Sequence, residues 1–204
     1  MTKADCRIMV FAKAPVPGRV KTRLIPALGE NGAAELQRQL IERTLRVAVD
    51  AGLGAPQLWC APDTDNAFFA ACAKRYGLGL RAQGEGDLGM RMQRALEFAL
   101  IEGRPGLLIG CDCPALTAAY LRAAAGALAD GNDAVFGPAE DGGYMLVGTA
   151  RAHSARLFDG IAWGGASVMR ETRERLAQGD WRWRELPTLW DLDRPEDLLR
   201  LGRR

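Results

Sequence analysis

The segment KAPVPGRVKTRL, Lys13 to Leu24, packs Lys13, Arg19, Lys21 and Arg23 into eleven residues of a chain that has only four lysines in all. Cations this close repel one another unless an anion lies among them. Pro15 and Pro17 stiffen the loop and lower the entropy lost on ordering it. A polyphosphate is the natural counter-charge, against the plainer alternative of a solvated basic loop. The segment is not a Walker A loop, because Lys21-Thr22 is preceded by Val20 where that loop requires glycine.

Acidic residues supply the complementary chemistry. In GCDCP, Gly110 to Pro114, Asp112 follows an apolar run, and a carboxylate projecting from a strand end can hold Mg2+ or Mn2+ against phosphate oxygens. The same Asp also suits a helix cap, with Pro114 in the first turn. In WDLDRPEDL, Trp190 to Leu198, Asp191 and Asp193 stand two apart on an extended segment and share a face, as a paired-carboxylate metal site requires. Asp193 with Glu196 reads equally as a cap and capping box for a last helix. Glu140 and Asp141 in GPAEDGGYMLVG are candidates for a catalytic base or an acceptor contact. The following Gly142-Gly143 is either a close backbone approach to a ligand or a plain tight turn. Trp163 is either a stacking platform for a sugar or base or an ordinary buried ring.

A fourth motif, GEGDLGMR from Gly84 to Arg91, satisfies the letters GxGxxG. However, Glu85 and Asp87 place negative charge where a pyrophosphate should approach, and the motif follows a third strand rather than the first. It reads as a tight turn with Asp87 near a helix N-cap, or as a nucleotide or acceptor contact through Asp87 and Arg91.

Other chemistries lack their residues. Five scattered cysteines, no CxxC pair and the single His153 disfavour a zinc site and a disulfide framework. The two serines, Ser154 and Ser167, lie in no GxSxG turn, and His153 merely adjoins Ser154, which disfavours a hydrolase triad. With 27 Lys plus Arg against 25 Asp plus Glu the net charge is +2, and no basic block exceeds Arg203-Arg204, so nucleic acid is not an expected partner. No apolar run approaches the about 18 residues of a membrane span, and the five apolar residues between Arg7 and Lys13 are too few for a signal-peptide core. A cytoplasmic protein without a membrane partner is expected.

The elements that must position these residues follow from hydropathy. A chain of 204 residues, 48% hydrophobic and 25% charged, suits one domain. Apolar runs at Ile8 to Ala12, Gln57 to Ala61, Leu78 to Ala82, Gly106 to Gly110 and Ala134 to Gly137 read as strands. They alternate with helical stretches at Glu30 to Ala51, Asp65 to Tyr76, Leu88 to Glu102 and Ala118 to Asp130. That rhythm predicts an α/β fold with a mostly parallel sheet and helices on both faces. Beyond it come a short strand at Tyr144 to Gly148, a helix at Ala166 to Ala177, an extended stretch from Trp181 to Leu192 and a short helix at Pro195 to Leu201. Ligands of such sheets sit beyond the carboxyl ends of the strands, where these motif loops fall.

Taken together, FAKAPVPGRVKTRL, GEGDLGMRM, GCDCPAL, GPAEDGGY and WDLDRPEDL resemble the rSAM/selenodomain-associated transferases, the arsenosugar-biosynthesis-type glycosyltransferases of the glycosyltransferase-A-like nucleotide-diphospho-sugar transferase superfamily. The resemblance implies a nucleotide over the N-terminal part, about residues 1–114, and an acceptor over 115–204. It implies nucleotide or phosphate contacts from Ala12, Lys13, Gly18, Arg19, Lys21, Arg23, Gly86, Asp87 and Arg91, and Mg2+ or Mn2+ on Asp112 and Asp193. Lys21, Arg23, Asp112, Asp193, Glu140 and Asp141 form the implied catalytic set. Many such glycosyltransferases carry DxD at the middle strand, whereas here Asp112 is followed by Cys113-Pro114, closer to the nucleotidyltransferase pattern. Two reactions follow: glycosyl transfer from a nucleotide sugar to a small acceptor, and nucleotidyl transfer from an NTP with release of pyrophosphate. A non-catalytic nucleotide-binding module and an NAD-linked oxidoreductase are further alternatives. Substituting Lys21 or Arg23 is expected to weaken nucleotide binding with little loss of stability.

Overall fold

The structure is a computed structural model that describes residues 5–152 and 157–201; His153, Ser154, Arg203 and Arg204 lie outside the described residues. The first strand shows how the sequence builds the fold. In β1 (Arg7–Lys13), Ile8, Val10 and Ala12 enter one hydrophobic cluster while Met9 and Phe11 enter the other, so the continuous apolar run serves two cores at once.

Around it form β2 (Gln57–Ala61), β3 (Gly79–Ala82), β4 (Gly106–Ile109), β5 (Ala134–Pro138), β6 (Tyr144–Thr149) and β7 (Trp183–Glu185), joined in one seven-stranded sheet of order β3-β2-β1-β4-β6-β5-β7. β6 pairs antiparallel with both β4 and β5, and every other pairing is parallel. The mostly parallel α/β sheet read from the sequence is the observed one.

The helices α1 (Ile25–Ala51), α2 (Ala67–Tyr76) and α4 (Ala118–Ala129) cover one face through residues such as Ile41, Leu45, Phe69 and Leu121. The other face is covered by α3 (Leu88–Ile101) and α5 (Val168–Gln178), through Met92, Leu96, Met169 and Leu176. α1 carries a break at Gly29, whose φ of 69° and ψ of 168° are not helical, so its long regular part begins at Glu30 as the periodicity predicts. A 3-10 turn at Pro195–Asp197 leads into the terminal α6 (Leu198–Leu201). Among the described residues no helix is long and apolar enough to cross a membrane. All five cysteines are buried free thiols. Burial pushes the Cys111 and Cys113 thiols up, which suits inert packing residues.

The topology collects the motif loops. Six strands run the same way, so the loops after β1, β3 and β4 and the tail after β7 leave from one edge of the sheet. The β5–β6 turn lies there too, because β6 runs back from that edge.

Candidate functional site

Lys21 anchors the site. It follows the stiff Pro15–Gly18 stretch, adopts a left-handed backbone (φ 48°, ψ 41°), and its carbonyl accepts from Leu24 N at 2.8 Å, closing a 3-10 turn over Thr22–Leu24. Its side chain is only 4% exposed. Nζ donates to Leu192 O at 2.5 Å and lies 2.7 Å from Asp112 Oδ1. One ammonium thus joins the loop after β1, the end of β4 and the tail after β7. The backbone supports the same junction, since Leu192 N donates to Asp112 O at 2.7 Å.

Beside it the exposed guanidinium of Arg23 donates to Asp193 Oδ2. Asp193 is free for that pair because the turn before α6 is capped by another carboxylate: Asp197 Oδ2 accepts from Asp193 N at 3.1 Å and from Arg194 N at 2.8 Å. The capping box expected of Asp193 and Glu196 is therefore corrected to a single carboxylate, Asp197, that reaches back to the Asp193 and Arg194 amides. Asp112 is not a cap either, since α4 is capped by Thr117, whose Oγ1 accepts from Tyr120 N at 3.2 Å.

Carboxylates crowd one another here. Burial and the nearby Asp141, Asp193 and Asp112 carboxylates hold the half-buried Asp191 above the usual aspartate range. A set of carboxylate oxygens is the kind of donor that a hard divalent cation takes. Among the described residues no group of three or more His, Cys, Asp or Glu side chains is placed to hold a metal ion. Asp112 and Asp193 could supply one or two carboxylates to a cation that completes its shell with water and phosphate oxygens.

The remaining candidates divide. Lys13 and Arg19 are exposed and make no side-chain hydrogen bond or ion pair among the described residues, Ala12 is buried in β1, and Gly18 has a φ of 75°. Asp141 stays at the rim, its Oδ1 accepting from Gly143 N at 2.8 Å. Both oxygens of Glu140 accept from Arg200, at 2.7 and 3.1 Å, and this pairing holds Glu140 below the usual carboxylate range. Arg200 also stacks 4.4 Å from the Trp190 ring centroid. A carboxylate so engaged is a poor base, and Glu140 instead ties α6 to the β5–β6 turn.

Of the two readings open at Gly142 and at Trp163, internal packing is the one observed. A Cβ at Gly142, whose φ is 89°, would strike Ala166 O, and Gly142 O accepts from Met169 N at 2.9 Å. The close approach there is to the start of α5. The Trp163 ring packs edge-on to Tyr144 at 6.3 Å and fills the space that a side chain at Gly89 would need.

The Gly84–Arg91 segment closes on itself. Asp87 caps α3, its Oδ1 accepting from Met90 N at 2.8 Å, while Arg91 Nε donates to Gly86 O at 2.8 Å. Next to it stands a residue the sequence did not signal. Gln83 is 5% exposed, and its Nε2 donates to Trp59 O at 2.9 Å and Ala12 O at 3.4 Å, bracing the carboxyl ends of β1, β2 and β3. The Leu192 carbonyl went unnoticed for a simpler reason, as backbone acceptors leave no mark in a sequence.

A protein-family model described as "Uncharacterized protein conserved in bacteria (DUF2064)" matches residues 44–165, more than half of the chain. The chain belongs to the DUF2064 family. A solved structure from Desulfovibrio desulfuricans G20, provisionally assigned as a nucleotide-diphospho-sugar transferase, is 31% identical over 98% of this chain and 87% of its own, with a TM-score of 0.88. The 4-diphosphocytidyl-2C-methyl-D-erythritol synthase of Anaerococcus prevotii DSM 20548 shares the fold at 12% identity, over 97% of this chain and 95% of that one, with a TM-score of 0.62. A cytidylyltransferase from Leptospira borgpetersenii does so at 13% identity, over 97% and 84%, with a TM-score of 0.58. No curated protein matches this chain.

Proposed function

We propose that this DUF2064 protein is a divalent-metal-dependent transferase that uses a nucleotide-activated donor and moves a sugar from a nucleoside diphosphate to a small acceptor. The observation that supports the reading is the double ion pair of Lys21 with Asp112 and Arg23 with Asp193, which brings two cations and two carboxylates together at the carboxyl edge of the sheet. The transferase assignment of the Desulfovibrio relative supports it.

In this reading Lys13, Arg19, Lys21 and Arg23 bind the diphosphate, and Asp112 and Asp193 hold Mg2+ or Mn2+, with Asp191 beside them. The cation, when bound, supplies positive charge against the departing diphosphate. The acceptor oxygen bonds to the anomeric carbon, and the bond from that carbon to phosphate breaks with its electron pair passing to the diphosphate. The acceptor proton goes to a carboxylate. Asp141 suits that role better than Glu140, whose oxygens are taken by Arg200. The finer likeness to arsenosugar-type transferases concerns the acceptor and belongs to the same proposal.

One observation favours nucleotidyl transfer as the second reading. Position 113, where a DxD motif needs a spacer before a second Asp, leads into Pro114, and Cys113 itself is only 2% exposed. The end of β4 thus offers one carboxylate, and the tail offers the other. In that reaction the same cations stabilise charge at the α-phosphate of an NTP. Incubation with nucleotide sugars and with NTPs, each with Mg2+ and a panel of hydroxyl and phosphate acceptors, separates the two. Release of a nucleoside diphosphate supports glycosyl transfer, pyrophosphate release replaces it with nucleotidyl transfer, and turnover of neither class overturns both.

A further inference from the structure

The cations read as phosphate ligands and the carboxylates read as metal ligands are already bound to each other. Lys21 Nζ stands 2.7 Å from Asp112 Oδ1, and Arg23 is paired with Asp193. Resting on the transferase reading, we infer that Lys21 and Arg23 are built-in counter-ions of the cation site, which exchange Asp112 and Asp193 for phosphate oxygens when a metal–nucleotide chelate enters. The species this site takes up is then the chelate, not the free cation or the free nucleotide.

The energetics follow from burial and charge. A cation arriving alone at the half-exposed Asp112 competes with Lys21 for the carboxylate and weakens the ion pair of an ammonium whose side chain is 4% exposed. A nucleotide arriving alone takes up the donors of Lys21 and leaves Asp112 uncompensated beside Asp191 and Asp193. The chelate brings both charges at once, so every displaced group gains a new partner in the same step. Lys21 can make the exchange without leaving its place, because an ammonium has three donors and the bond to Leu192 O, at 2.5 Å, holds one of them. Arg23, with a side chain 62% exposed, turns with little cost.

Calorimetry tests this with Mn2+ alone and with ATP, GTP, CTP and UTP titrated singly, with and without Mn2+, on the intact chain and on Lys21→Met and Arg23→Gln. In the parent protein, Mn2+ and the best-bound triphosphate should tighten each other by the same factor, roughly 5- to 150-fold. Each variant should bind Mn2+ alone more tightly, by roughly fivefold or more, and bind the triphosphate in Mn2+ more weakly. Opposite signs are the signature, since a residue that only supports the fold moves both affinities the same way. Should Lys21→Met fail to fold by circular dichroism, Arg23→Gln carries the test at an exposed position. Shifts of the same sign overturn the exchange, as does independent binding of Mn2+ and triphosphate in the parent, and both leave the transferase reading intact. A parent protein that binds neither overturns the two together.

Discussion

Two loops at the same edge of the sheet carry sequence patterns that suggest nucleotide chemistry, and the fold treats them in opposite ways. The loop after β1 is completed by distant partners: Lys21 reaches Leu192 across 171 positions, and Arg23 reaches Asp193 across 170. The turn after β3 is completed by its neighbours, Asp87 bonding three residues on and Arg91 five residues back. Charges gathered from remote segments need a reason to be held together, because loop closure and desolvation oppose it. Charges that satisfy their own turn need none. Long-range convergence marks the candidate site, whereas the glycines after β3 are accounted for locally, by positive φ at Gly84 and Gly86 and by the close packing of Trp163 on Gly89.

The comparison breaks first at Asp112. Asp112→Asn removes the carboxylate at the end of β4, and turnover should fall on the order of 100-fold in the proposed reaction, since a bound cation would supply several kcal/mol at the departing diphosphate. Steady-state rates over a Mg2+ series check this. Unchanged turnover at saturating Mg2+ would place the chemistry away from the convergent loops.

Lys21→Ala sharpens it on the side of stability. The sequence alone suggested a strained loop cation that could be removed cheaply, but the side chain is nearly buried and ties three segments. Losing it leaves Leu192 O without that donor and Asp112 without its ion pair, a loss of about 1–3 kcal/mol. Chemical denaturation should show it as a lower midpoint at unchanged slope. Arg23→Ala, at an exposed pair, should shift the midpoint far less.

Asp87→Ala tests the other loop. Loss of an N-cap costs about 1 kcal/mol, read as a small drop in melting temperature, with triphosphate affinity in Mg2+ unchanged. A collapse of that affinity would make the turn after β3 part of the site and erase the contrast.

How much of this could be read in advance follows from the range of each interaction. The run Ile8 to Ala12 announced a strand buried on both faces because alternate side chains feed two cores. The start of regular helix at Glu30 was legible because Gly29 breaks the pattern in the chain itself. The stretch Trp181 to Leu192 was less so: only Trp183–Glu185 pairs as a strand, and after Pro187, which has no amide hydrogen, Leu189 rejoins the sheet at a single bridge to Ala139. In the site, the residue types and their edge of the sheet were visible in the sequence, whereas the pairings were not. Glu140 and Asp141 are adjacent, yet Arg200 claims one and leaves the other at the rim. That division depends on where α6 docks, and no local spacing encodes it.

Asp191 offers the smallest effect and the finest test of convergence. Its folded-state pKa is raised, first by burial and then by Asp141, Asp193 and Asp112, so the fold prefers the protonated form. The sign is therefore that of a group whose favourable contribution is complete below the unfolded-state value and is lost as pH rises through the folded one. At neutral pH the ionised carboxylate opposes folding. Asp191→Asn should raise the melting temperature slightly at pH 7, and the difference should fade as the pH falls through the acid range where Asp191 in the parent protein becomes protonated. The same change should weaken Mn2+ binding, because the crowding that destabilises the carboxylate is what a divalent cation relieves. Thermal scans of both proteins from neutral to acid pH, paired with Mn2+ titrations, read the two effects separately. A variant less stable at pH 7 would mean that Asp191 does not stand in the field of the other three carboxylates, and the convergence would then rest on the two ion pairs alone.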